Sequence, residues 1–239
     1  MPVFRSPSML TMPDVIQRLG VAGAPMQYPW DLDESDAIAY PRDDEHQRLR
    51  NAVWQCSLRC AFGVLLSSAE WVVWRFEGLV DLSDPLLRIE AGYVALVAAR
   101  YADLPEPPDD FPDDMQDAHG PLMLARMLIA SGYAAYAAND KGVYESALSM
   151  ALLARHVAPK RKPFDAWLSA TLRRAHVRYP RLEDPVGDQS AIPRAFFFDE
   201  SGREWSDAEV REALATQLAR LDPAANPFLR DIESLRAEG

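Results

Sequence analysis

Histidine, cysteine and isolated carboxylates inside apolar segments are the residues here that could carry chemistry, and each is sparse. The four histidines, His46, His119, His156 and His176, fall in separate segments, and none stands three residues after a glutamate. A di-iron or di-manganese centre in a helical bundle needs two such Glu-x-x-His pairs and two further carboxylates. Cys56 and Cys60 are the only cysteines, four apart in a helical pattern, with no second ligand pair nearby at zinc spacing. They read as small core residues. The chain contains no phosphate-binding glycine loop, dinucleotide fingerprint, zinc-protease signature or nucleophile elbow. No cofactor and no metal is expected.

Two carboxylates stand where charge is costly. Glu70 is the only charged residue between Arg59 and Arg75, and Glu90 lies in a second apolar segment, near Arg88. On neighbouring helices they would form either an acid/base pair, half of a metal site, or two structural ion pairs with arginines. An enzyme built here would draw on Glu70, Glu90 and His119. The structural ion pair is the simpler expectation, because buried carboxylates persist when paired and arginine is plentiful.

Charge is distributed very unevenly. The net charge is −11, and only Lys141, Lys160 and Lys162 are lysines among 25 basic residues. This arginine bias, with many Ala, Asp and Pro, fits a GC-rich bacterial genome. Asp103 to Asp117 holds seven acids and no base, and Asp31 to Glu45 holds seven more against Arg42. Arg155 to Arg181 reverses the balance, with eight Lys or Arg against Asp165. An acidic surface of this kind speeds encounter with a basic protein and repels nucleic acid. The candidate docking residues are Asp109, Asp110, Asp113 and Asp114, with Phe111 or Trp30 as an aromatic anchor among the acids.

The elements that must position these residues are helices. Leu49, Val53, Cys56 and Cys60 recur at four-three-four spacing, and the segment from Ala61 to Phe76 is apolar nearly all round. Together they predict a long helix opening at Asp43 or Asp44 and ending in a central, buried stretch. Further helices are expected from Ser83 to about Ala102, Pro121 to Asn139, Val143 to Val157, Phe164 to Tyr179, and from the Ser206-x-x-Glu209 capping box onward. A last helix is expected after Asn226-Pro227. Ala195–Asp199 and Arg203–Trp205, around Gly202, read as one β-hairpin. The fold class is therefore all-α, a bundle of five to six main helices with one short hairpin near the C-terminus. Three parts are expected: a Pro-rich arm with one short helix over 1–42, a helical core over 43–180, and 181–239 packing on that core. A faint echo, Gly92-Tyr93-x-Ala95 and Gly132-Tyr133-x-Ala135, hints at a helical repeat but lacks a third copy.

The N-terminus carries no export signal and no stretch is long enough to span a bilayer, so a cytoplasmic location is expected, with no membrane partner. In profile the chain is similar to immunity proteins of bacterial toxin systems: acidic, helical and without catalytic motifs. That resemblance implies a non-enzymatic protein that binds and neutralises a basic partner, a toxin. An escort for a secreted effector, a helical-repeat adaptor and the dispersed-carboxylate enzyme are the alternatives.

Overall fold

The computed structural model describes residues 8, 10–25, 28, 30–42, 44–107, 118–183 and 190–230. Among these residues ten α-helices form: α1 (Asp14–Arg18), α2 (Leu32–Ala39), α3 (Gln47–Trp54), α4 (Leu58–Arg75), α5 (Ser83–Ala95), α6 (His119–Ala137), α7 (Gly142–Val157), α8 (Arg161–Arg178), α9 (Arg194–Phe198) and α10 (Asp207–Ala219). No strand is present among them, only isolated bridges between Cys56 and Pro180 and between Ala102 and Leu229. The fold is all-α.

The apolar run from Ala61 to Phe76 makes α4 the axis of the bundle. All but one of its residues are buried, and it packs against α5, α6, α7 and α9. An all-round apolar helix has no face to give to water, so neighbours must surround it. The Gly92 and Gly132 echo has its explanation here. A Cβ at Gly92 would strike Leu66 and one at Gly132 would strike Leu65. Both glycines are therefore points of close approach of α5 and α6 to the same helix. The tyrosines that follow do unlike things: Tyr93 bonds to Glu70, whereas Tyr133 donates to the Ala99 and Ala102 carbonyls.

Several boundaries differ from the sequence expectation, each for a local reason. The long helix from Asp44 is two helices. Ser57 caps α4 by accepting from the Cys60 amide, while its own amide donates to Tyr179 O and the Arg181 amide donates to Gln55 O. The end of α8 thus supplies partners for the backbone groups the break leaves open. The Pro-rich arm over 1–42, expected to hold one short helix, holds both α1 and α2, and the α2 N-cap Asp31 accepts from the Glu34 amide at 2.8 Å. At α1 the N-cap is Pro13, and no side chain caps the helix.

The expected hairpin is a correction. Phe196 and Phe197 are both fully buried. Adjacent strand residues point to opposite faces, whereas adjacent helical residues stand only about 100° apart and can enter one core together. The α9 turn satisfies that requirement, and Phe197 lies over Gly63 of α4. Its carbonyl accepts from Trp167 Nε1 at 3.1 Å and Thr171 Oγ1 at 3.2 Å, which occupies the group a ladder would have used. Asp199 then holds the reversal, accepting from the Ser201 amide at 2.9 Å and from Trp205 Nε1 at 2.7 Å. The capping box at Ser206 and Glu209 forms as expected and opens α10. The helix expected after Asn226 falls largely outside the described residues.

Candidate functional site

The acidic docking residues expected at Asp109, Asp110, Phe111, Asp113 and Asp114 lie outside the described residues. The second aromatic candidate, Trp30, is only 7% exposed and joins the core, edge-on to the His156 ring at 5.8 Å. Its neighbour Tyr28 meets the same ring at 5.1 Å, and His156 Nδ1 lies 3.0 Å from the Glu34 carboxylate. Trp30 therefore fastens the N-terminal segment to α7 and offers no ring to a partner. Sequence reasoning missed this because aromatic residues among acids look the same whether they face in or out.

Among the described residues, the aromatic that does reach solvent is Tyr40, at the end of α2 and 78% exposed. On α2, which packs against α6 and α7, Asp33, Asp36 and Tyr40 follow at helical spacing and are all exposed, beside exposed Leu32. Tyr40 forms the rim of a groove of about 370 Å3 between α2, α6, α7 and the Glu106–Pro107 segment. Met123, Leu124, Met127 and Leu128 supply its apolar part, with Met127 exposed, and Glu106 and Glu145 stand at its edge. Among the described residues no ion pair engages Asp33, Asp36 or Glu106, while Glu145 is paired with Arg50. Methionine-rich grooves adapt to different apolar side chains, and a charged rim orients what enters. Glu106 is the one acid of the 103–117 segment that lines this groove among the described residues.

Glu70 is placed oppositely. It is 0% exposed, and both its oxygens are fully used. Oε1 accepts from Tyr93 Oη at 2.9 Å and from Arg194 Nε at 2.7 Å, and Oε2 accepts from Trp74 Nε1 at 3.2 Å and from Arg194 Nη2. A carboxylate offers about four acceptor sites, so none is left for a substrate. Burial works against the Arg194 charge, but the Glu70 carboxylate outweighs it and raises the guanidinium above its ordinary value. Burial, then the Glu70 charge, pushes the Tyr93 phenol well above the usual range, so it remains a donor. Arg194 is the partner the sequence did not name. Its one signal is that it is the lone charge in the run Ile192-Pro193-Arg194-Ala195-Phe196.

Glu90 is buried and accepts from Asn226 Nδ2 at 2.8 Å, in a cavity of about 350 Å3 that Tyr93 and Arg194 also line. His119 is exposed at the first position of α6. Glu70 is thus sealed beneath the side chains that separate it from this cavity. Cys56 and Cys60 are buried free thiols. Among the described residues no group of three or more His, Cys, Asp or Glu could hold a metal ion, and no helix is long and apolar enough to cross a membrane.

No family model, curated protein or solved structure matches this chain.

Proposed function

We propose that this protein binds a basic protein partner through the acidic face of α2 and its groove, and neutralises or escorts that partner in the manner of a toxin immunity protein. The observation that carries the reading is Tyr40 standing exposed at the rim of a methionine-lined groove, with Asp33, Asp36 and Glu106 in no ion pair among the described residues. Exposed unpaired acids add little to stability but accelerate encounter, while an aromatic on an apolar floor supplies the contact that persists after encounter. Asp109, Asp110, Phe111, Asp113 and Asp114 follow Glu106 in the sequence and belong to the same proposal.

Affinity purification from the native host, with the retained protein identified and its binding measured, tests the proposal. A basic protein should be retained. Asp33→Asn/Asp36→Asn/Glu106→Gln should slow association, and added salt should do the same to the wild type, because surface charges are screened over about 10 Å at 0.1 M salt. Tyr40→Ala should speed dissociation, costing about 2 kcal/mol. A partner that binds both variants with unchanged rates would overturn the assignment of this face. If the partner is a toxin, the wild-type chain should rescue cells expressing it, and the combined variant should rescue them poorly.

A further inference from the structure

On a molecule of net charge −11, one groove gathers positive charge. It lies between α3, α7 and α8 and has a volume of about 600 Å3. Its rim carries His46, Arg48, Arg155, Arg173 and His176, against the single carboxylate of Asp165. Its floor is apolar, formed by Leu49, Ala52, Leu168 and Leu172. Asp165 is already engaged, 3.0 Å from Arg155 Nε. Among the described residues no hydrogen bond or ion pair engages Arg48 or Arg173, both exposed, and they approach the groove from different helices. His176 is fixed in orientation, with Nε2 2.7 Å from Ala52 O. A carbonyl can only accept, so Nε2 is the donor in this contact.

Like charges gathered on one rim repel one another, and among the described residues no ion pair compensates Arg48 or Arg173. Arginine forks match phosphate oxygens in a bidentate way. Several cations around one Asp165 suit a multiply charged anion better than a single carboxylate. The apolar floor suits a ligand with a flat or apolar body, and the volume falls within the 300–1,000 Å3 usual for small-molecule sites. A long polyanion meets a different balance, because the net negative charge of the molecule opposes its approach. We infer that this groove binds a phosphorylated small molecule of the nucleotide class, its phosphates held by Arg48 and Arg173 with Arg155 and the histidines around them, and its body on Leu49, Leu168 and Leu172. None of these residues belongs to the Tyr40 groove, so the two sites can fail separately.

Calorimetric titration of the full chain with ATP, inorganic pyrophosphate and adenosine tests the inference. ATP should bind saturably, pyrophosphate more weakly for lack of a body, and adenosine weakest for lack of charge. Arg48→Gln/Arg173→Gln removes two exposed side chains and should weaken ATP about tenfold or more, as expected for lost charge-assisted hydrogen bonds. Arg161→Gln/Lys162→Gln, which removes exposed charges on the same helix outside the groove, should leave ATP affinity within about twofold. Ser169→Tyr, at an exposed groove position, should block ATP without lowering the melting temperature. Absence of saturable ATP binding overturns the site, and so does an equal loss in both double variants, which would mark diffuse charge attraction. A short single-stranded oligonucleotide, or phosphoinositide vesicles, bound more tightly than ATP with the same dependence on Arg48 and Arg173 would also overturn it, in favour of a polymer or a surface.

Discussion

Glu70 on α4 and Asp36 on α2 belong to helices that both pack against α7, yet one has no contact with water and the other is exposed. Every acceptor site of Glu70 is filled from three other residues, two of them on α5 and α9. Asp36 has no ion-pair partner among the described residues. Asp199 lies between these extremes, half-buried at the end of α9 and held by Ser201, Trp205 and Arg203. Burial makes an unmatched charge intolerable, so the interior completes its pairs, while exposure leaves a charge free for an incoming molecule. Carboxylates of this chain therefore divide by depth between holding the fold and meeting a partner.

The largest expected effect is at the buried end. Glu70→Gln leaves the Arg194 guanidinium inside the protein without its counter-charge and should cost about 3–5 kcal/mol in urea unfolding. Glu70→Gln/Arg194→Met should recover part of that loss, since removing both partners is cheaper than stranding one. A Glu70→Gln protein as stable as the wild type would break the comparison at its strongest point.

An intermediate effect is expected at Asp199. Burial alone would raise its pKa, but hydrogen bonds from Ser201 and Trp205 and the charge of Arg203 outweigh it and hold the carboxyl below its ordinary value. A folded pKa below the unfolded one stabilises above the ordinary aspartate range, near pH 4, and that contribution is lost as the pH falls through the lower folded value. Asp199→Asn should therefore cost on the order of 1 kcal/mol at neutral pH, and the difference should close toward zero as the pH falls through the lowered folded value. A difference independent of pH would assign the effect to shape and not to charge.

The smallest stability effect is expected at the exposed end. Asp33→Asn and Asp36→Asn should each change stability by less than about 0.5 kcal/mol while altering association with the partner. A melting temperature that falls sharply with either would place these acids with Glu70, as structural groups.

Much of this was legible along the chain. Period-3.6 apolar spacing and the Ser206–Glu209 box announced an all-α protein, the nearly all-apolar run from Ala61 to Phe76 announced a central, buried helix, and Glu70, the one charge between Arg59 and Arg75, was marked for an ion pair. These features depend on neighbours within one or two turns, which sequence displays directly. The identity of Arg194 as partner, the turn of helix in place of a hairpin at Phe196 and Phe197, the break before Ser57 and the inward placement of Trp30 depend on residues far apart in sequence. The same holds for both grooves. Tyr40 reads as one more aromatic near acids until α6 brings Met127 into the same groove, and Arg48 and Arg173 stand 125 positions apart until α3 and α8 share a rim. Local patterning determined which segments would be helices and which faces they would bury. Only the packing of those helices decided which charges would be paired and which would be left to a ligand, because pairing is a property of distance in space.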